Sequence, residues 1–311
     1  MTLLNILMDV KAWVILGLIL GLTIGFDSPD AATILMIVLI IQMTLSLDGL
    51  SFKKEDFKEN SKEILINIIC CFVLNTGLTL ITGLFFIDDT ALWYGWIMLS
   101  SVPCGVSVVS AALLMKGDTK LAVLSLIAIY VIALGLTPAI THLLIGSAIS
   151  PLEVLRYILM FILIPFILTI PLKRLNLPRV PKVLGINLMM LCMIFIGLGS
   201  RRDYILSEPD VVMWIVVACI FRIFVFSTIL TLIFKRSGTD RGASITHISM
   251  AFWKNSGMAT SMTMAILAST YPEAVLPCVV SLVMEAAWFA VFNALINRIW
   301  PYVPDVGKTS A

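Results

Sequence analysis

Long apolar stretches alternate with short polar breaks along the chain. The breaks divide it into ten stretches, each near the roughly 20 residues that a helix needs to cross a bilayer core. Several linkers are as short as Asp27-Ser28-Pro29-Asp30, so consecutive helices are expected to run antiparallel. The pattern predicts an all-α polytopic membrane protein with ten transmembrane helices. Their approximate bounds are 10–27, 31–48, 63–87, 91–115, 119–145, 149–172, 183–206, 210–234, 243–269 and 274–299.

Composition supports this class. The chain is 60% hydrophobic and 13% charged, with a mean hydropathy of +1.05, whereas about a quarter of the residues of a soluble domain are charged. The net charge of +2 gives no reason to expect a nucleic-acid partner. The six cysteines lack metal-binding spacing, so we expect small apolar packers and neither a cofactor nor a metal site.

The basic residues predict an orientation. Most of the 21 lysines and arginines fall in loops on the side of the amino terminus, whereas the opposite side has only Arg201 and Arg202. Because cytoplasmic loops are enriched in Lys and Arg, both termini are expected in the cytoplasm and the protein in a plasma (inner) membrane. The basic loops are 53–62, 116–120, 173–182, 235–241 and 298–308.

Ten helices divide into two sets of five, residues 1–146 and 147–311. Since five is odd, the second set would be inverted relative to the first, as in many secondary transporters. The fourth helix of each set carries a polar break, Pro103-Cys104-Gly105 in one and Lys254-Asn255-Ser256-Gly257 in the other. Freed backbone groups cannot face lipid. The breaks are therefore expected to meet at a midplane binding site.

Lys254 is the most informative single residue. A Lys at the centre of a spanning helix costs about 2.5–3.5 kcal/mol on insertion scales. Two interpretations remain open: a structural Lys paired with a carboxylate or carbonyls, or a charge that meets an anionic substrate or replaces a bound cation. Glu285 is the expected partner of Lys254, because intramembrane charges usually pair. Arg222 is expected to snorkel or to bind a lipid headgroup.

The remaining polar residues are less informative about function than Lys254. Ser107 near the first break offers a hydroxyl to a ligand, and the thiol of Cys104 is expected to be exposed to the cavity. His142 and His247 are interpreted as structural. Asp88-Asp89 lies in a short turn without a second acidic motif, and no catalytic motif is present. We therefore expect neither an enzyme nor a channel.

Several segments resemble the bile acid:sodium symporter family. Ser101-Val102-Pro103-Cys104-Gly105 and Lys116-Gly117-Asp118 resemble the broken fourth helix of that family, and Thr137-Pro138-Ala139-Ile140 resembles its next helix. Asn255-Ser256-Gly257-Met258-Ala259 resembles its ninth helix. The resemblance implies that helices four and nine cross, that helices 3–5 and 8–10 form a core domain and helices 1–2 and 6–7 a panel domain, and that organic anions are transported with sodium.

The sodium-binding positions of that family are altered. They correspond here to Cys71, Val108, Val109, Met250 and Lys254, whose side chains offer no oxygen. Since sodium requires oxygen ligands and an ammonium repels it, sodium coupling is doubtful. We hypothesise that Lys254 supplies the charge that sodium supplies elsewhere. Coupling would then be absent, or would use protons on Lys254 or Glu285, since burial shifts such groups.

The related arsenite efflux permeases also share features with the chain, namely Pro103-Cys104, Gly117-Asp118 and an acidic residue near Glu285. A metalloid efflux permease is therefore the alternative to an organic-anion carrier. The expected partners are a small anionic substrate and membrane lipid, and the oligomeric state stays open. The expected substrate-binding residues are Cys104, Gly105, Ser107, Lys254, Asn255, Ser256 and Glu285.

Overall fold

All regular secondary structure in the described residues is helical, which confirms the all-α class. The computed structural model describes residues 3–47 and 54–302. Lys53 and Lys308 of the predicted basic loops lie outside the described residues. The first helices are α1 (Leu3–Met8), α2 (Val10–Thr23), α3 (Ala31–Leu47), α4 (Lys54–Glu59), α5 (Ser61–Ile69), α6 (Thr76–Gly83), α7 (Thr90–Ser101), α8 (Ser107–Leu114) and α9 (Thr119–Ile145). The remaining helices are α10 (Pro151–Arg174), α11 (Arg179–Gly199), α12 (Arg202–Ser207), α13 (Pro209–Ile220), α14 (Phe226–Arg236), α15 (Arg241–Phe252), α16 (Ser256–Ile266) and α17 (Val275–Ile299).

Within the described residues, six helical segments are long and apolar enough to cross a membrane, which confirms a multi-pass membrane protein. They are Ser61–Phe86, Thr119–Ala148, Pro151–Arg174, Arg179–Gly199, Pro209–Arg236 and Pro272–Phe289. Two shorter apolar helices, Val10–Thr23 and Ala31–Leu47, precede them in the chain. The predicted count of ten spans exceeds these segments and stays a prediction.

Both predicted helix interruptions are present. Residues 102–106 separate α7 from α8, and residues 253–255 separate α15 from α16. Val102 is extended, as expected for a residue before proline, and Pro103 has no N–H to continue the helix. The side-chain oxygen of Asn255 accepts a hydrogen bond from the third residue of α16 and so restarts the helix there.

Two membrane-length helices contain a π-helical turn. Cys70–Asn75 joins α5 to α6, and Phe221–Val225 joins α13 to α14. A π-helical turn within an α-helix is rare and often marks a functional site. These two turns place Cys71, Asn75 and Arg222 in the protein interior.

Aspartates begin several helices. Asp89, Asp118 and Asp240 accept hydrogen bonds from backbone N–H groups in the first turns of α7, α9 and α15. Such caps satisfy amide groups that have no partner within the helix. The Asp88-Asp89 pair therefore has a structural explanation in the start of α7.

The residues of both interruptions, 102–106 and 253–255, are buried. α11 packs against α2 and α3, while α16 packs against α3, α7 and α17. α7 approaches residues 272–274 so closely that a Cβ atom on Gly95 would lie 2.2 Å from the carbonyl oxygen of Ala274. The division into halves 1–146 and 147–311, and into core and panel domains, stays a prediction.

Candidate transport site at the two helix interruptions

The two interruptions touch each other through their backbones. The N–H of Asn255 donates to the carbonyl oxygen of Pro103 at 2.8 Å. Gly105 lies so close to the second interruption that a Cβ atom there would be 3.2 Å from the carbonyl oxygen of Lys254. Each interruption thus satisfies part of the backbone that the other exposes, as required at membrane depth.

The ammonium of Lys254 is enclosed by oxygen atoms. Its Nζ atom lies 2.8 Å from the carbonyl oxygen of Ser100, 3.0 Å from that of Val102, 2.9 Å from Thr76 Oγ1 and 3.3 Å from the carbonyl oxygen of Cys71. The residue is 1% exposed. We call these four oxygens the Lys254 cage.

The cage follows from the local backbone. The carbonyls of Ser100 and Val102 belong to the end of α7, where the helix stops and leaves carbonyl groups without a helical partner. The carbonyl of Cys71 belongs to the first π-helical turn. The ring of Phe72 lies 5.7 Å from Nζ, within cation–π range. The cage therefore consists of dipoles that suit a monovalent cation.

Arg222 and Glu285 form a second charged group beside the cage. Arg222 Nη2 lies 2.8 Å from Glu285 Oε1, and its guanidinium also donates to Asn75 Oδ1 at 3.2 Å and to the carbonyl oxygen of Phe252 at 3.3 Å. Arg222 Nη2 also contacts the hydroxyl of Ser281. The second π-helical turn is thus tied to α17 and to the end of α15.

The carboxylate of Glu285 also holds the second interruption. Its Oε2 atom accepts from Ser256 Oγ at 2.7 Å, and its Oε1 atom accepts from the backbone N–H of Lys254 at 3.2 Å. A buried carboxylate is stable when its charge is paired and its lone pairs accept hydrogen bonds. Glu285 meets both conditions.

Two expectations are corrected by this geometry. Glu285 does not pair with the ammonium of Lys254, since its partner is Arg222 and Lys254 contributes only its main chain. Arg222 does not snorkel, because its side chain is fully buried and bonded to Glu285, Asn75 and Phe252. Lys254 has other partners because its Nζ atom lies next to carbonyl groups at the end of α7. The sequence does not identify these carbonyls as neighbours of Lys254.

The other predicted residues surround the contact between the two interruptions, which we call the crossing. Ser256 bonds to Glu285, Asn255 donates to Tyr130 Oη at 3.2 Å, and Ser107 begins α8 in a half-buried position. Cys104 differs from expectation. Its thiol is fully buried and lies 3.3 Å from Met250 Sδ, so it is not exposed to a cavity in this structure.

Sequence reasoning missed two participants, Tyr130 and Ser281. Ser281 lies four residues before Glu285, the spacing that places two side chains on the same helix face, so this signal was available. Tyr130 lies within the long apolar helix α9, and nothing local marks it.

The positions aligned with sodium ligands form no oxygen site of side chains. Cys71, Val108 and Met250 are fully buried, Val109 is half-buried, and Lys254 occupies its cage. Within the described part of the chain, no group of three or more His, Cys, Asp or Glu residues is arranged to hold a metal ion.

Two cavities lie outside the crossing. An apolar groove of about 700 Å³ is lined by residues of 82–92 and 211–221. A polar recess of about 460 Å³ is lined by residues of 24–27 and 199–204 together with Glu273. Residues of the two interruptions line neither of them.

A comparison with known proteins identifies the family of the chain. The model of the Sodium Bile acid symporter family matches residues 33–208, more than half of the chain. The matched region includes α7, the first interruption and α8. No curated protein matches the chain.

Proposed function

The chain belongs to the sodium bile acid symporter family and is a secondary transporter, and on this premise we propose that it carries a small organic anion without using sodium. The observation that carries the proposal is the Lys254 cage. A lysine ammonium has the charge of a sodium ion but is covalently attached, so it cannot dissociate when the carrier changes conformation. A sodium gradient, which drives transport in relatives that bind sodium, then cannot drive transport by this protein.

The net charge of the crossing favours an anionic substrate. Arg222 and Glu285 neutralise each other, whereas the Lys254 ammonium contacts only uncharged oxygens within the described residues. One positive charge therefore remains. α8 and α16 begin directly after the two interruptions, at Ser107 and Ser256, and their amino-terminal ends add positive dipole.

Matching interruptions support an inverted repeat of ten helices. In each half the interruption begins 32 residues after the π-helical turn begins, at Val102 after Cys70 and at Trp253 after Phe221. A shared spacing of two rare features is expected if both halves derive from one unit. We place the protein in the plasma membrane with both termini in the cytoplasm, on the basis of the basic loops.

Arsenite efflux is the second candidate, favoured by one contact. Cys104 Sγ lies 3.3 Å from Met250 Sδ, and soft metalloids prefer sulfur ligands. A Cys104→Ser variant that folds but no longer confers arsenite resistance would support this candidate. A Cys70→Ser variant is the matched control, since Cys70 is also a buried cysteine but lies in the first π-helical turn and not in the interruption.

The test of the first candidate is uptake into proteoliposomes. Labelled taurocholate, pyruvate, succinate and benzoate are offered with and without an inward sodium gradient, to wild type, Lys254→Gln and the exposed control Lys62→Gln. We expect wild type and Lys62→Gln to take up substrate at the same rate with and without the sodium gradient. The uptake rate of Lys254→Gln should be at least tenfold lower. Uptake by wild type that requires sodium would refute the role assigned to Lys254.

A further inference from the structure

A second buried polar cluster lies on α5, α9 and α15, away from the crossing. His247 Nδ1 is 2.7 Å from Asn67 Oδ1, and His247 Nε2 is 2.9 Å from Glu63 Oε2. Asn67 Nδ2 in turn donates to Ser125 Oγ at 2.7 Å. We call these four residues the His247 cluster.

The orientation of the Asn67 amide matches a protonated ring. Because the amide nitrogen of Asn67 faces Ser125, its oxygen faces His247, and the other ring nitrogen faces a carboxylate. Both ring nitrogens therefore meet acceptors, and only the imidazolium has two N–H donors to supply them. If the ring loses its Nδ1 proton, the Asn67 amide must turn over so that its nitrogen donates to Nδ1 and Ser125 donates to its oxygen.

Protons can reach this cluster from solvent. His247 is 3% exposed, whereas the side chain of Glu63 is 37% exposed. Glu63 thus connects a buried imidazole to the protein surface. Histidine is the side chain that ordinarily changes charge between pH 5 and 8.

Charged groups around the ring come from several helices. Glu63 of α5 bonds to the ring, and Asp118 at the start of α9 lies near it. Other cations near α15 are engaged elsewhere: Lys120 pairs with Asp56, and Arg241 donates to the carbonyls of Met115 and Lys116. The remaining titratable groups on the helices packed against α15 are Lys62, Cys70, Cys71, Tyr130, His142, Lys235 and Arg236.

The His247 cluster and the Lys254 cage both connect α5 and its π-helical turn to α15 and the second interruption. Asn67 on α5 lies four residues before Cys71, whose carbonyl belongs to the cage, and His247 lies on α15, which ends just before the second interruption. Met250, on the same helix, covers the thiol of Cys104. A displacement of α15 from α5 would therefore alter the cage and uncover Cys104.

We propose that His247 is a proton-operated clamp of this transporter: the protonated ring holds α15 against α5 through its ion pair with Glu63, and the neutral ring, which keeps only uncharged hydrogen bonds, holds α15 more weakly. Its effect on transport rests on the proposed role of Lys254, but the clamp itself is tested without substrate. Lys254 and Glu285 were the expected proton sites; the clamp assigns proton binding to a histidine interpreted as structural.

The first test reads the ring directly. The chain has two histidines, so a His142→Gln variant labelled with ¹⁵N-histidine in nanodiscs reports His247 alone by NMR. We expect one transition between imidazolium and neutral ring between pH 5 and 8, with the midpoint at lower pH in Glu63→Gln. Glu59→Gln, a nearby exposed acid, is the control and should leave the midpoint unchanged. A ring that keeps one charge state across this range would overturn the proposal.

The second test reads the movement of α15. The alkylation of Cys104 by N-ethylmaleimide is followed by mass spectrometry of the full-length protein in nanodiscs at pH 6. We expect His247→Gln and Glu63→Gln to react at least fivefold faster than wild type, and His142→Gln to react like wild type. Equal rates in all four proteins would show that no clamp exists. Neither readout depends on sodium or on substrate, so a failure of the proposed transport function would be distinguished from a failure of the clamp.

Discussion

Arg222 on the second π-helical turn and Glu285 on α17 form an ion pair at 2.8 Å in which neither side chain is more than 2% exposed. Removing one partner of a buried pair leaves an uncompensated charge, which costs about 3–5 kcal/mol. We predict that Arg222→Leu lowers the free energy of unfolding by about this amount, measured by thermal unfolding in detergent.

The matching double variant separates charge from packing. Arg222→Leu combined with Glu285→Leu should recover a large part of the loss, because no unpaired charge remains. A double variant as unstable as the single one would show that the hydrogen bonds to Asn75 and Phe252, and not the charge of Glu285, dominate the effect.

Removal of the Lys254 side chain should create a site for an inorganic cation. In Lys254→Ala the four cage oxygens lose their donor, and unsatisfied buried polar groups each cost about 1–3 kcal/mol. We expect sodium or potassium chloride to raise the Tm of this variant relative to choline chloride, while the Tm of wild type does not respond. The same absence of response in Lys254→Ala would contradict the cage as a cation site.

Gly95 is predicted to be intolerant of a side chain. A Cβ atom would lie 2.2 Å from the carbonyl oxygen of Ala274, a backbone atom that cannot move aside alone. Gly95→Ala should therefore reduce the yield of folded protein severely, measured by monodisperse elution in detergent. Gly77→Ala is the control: no atom lies within 4 Å of its added Cβ, and replacing a helical glycine by alanine stabilises by about 0.8–1.0 kcal/mol.

Asn255 is predicted to have two separable roles. Its side-chain oxygen caps α16 and its amide nitrogen donates to Tyr130. Asn255→Ala should lose about 1 kcal/mol of stability with the cap, whereas Asn255→Ser keeps an uncharged capping oxygen and should be less affected. If both variants lose the same stability, the bond to Tyr130 contributes more than the cap.

Local signals in the sequence predicted the fold class and the position of the site. The sequence alone shows the apolar stretches of membrane length, Pro103 and the polar run from Lys254 to Ser256. These signals are informative because a bilayer sets the length of a spanning helix and penalises unpaired backbone groups wherever a helix breaks. The family resemblance rested on the same short segments, and the match to residues 33–208 confirms it.

The pairing of charges was decided only by the tertiary structure. Nothing in the sequence indicates that Lys254 donates to the carbonyls of Ser100 and Val102, or that Glu285 forms its ion pair with Arg222. The chain itself determined that it would fold as membrane helices with two broken segments, because hydrophobicity and backbone satisfaction act locally. Which cation would meet which acceptor depended on how α7, α15 and α17 pack, because hydrogen bonds act over about 3 Å between residues far apart in sequence.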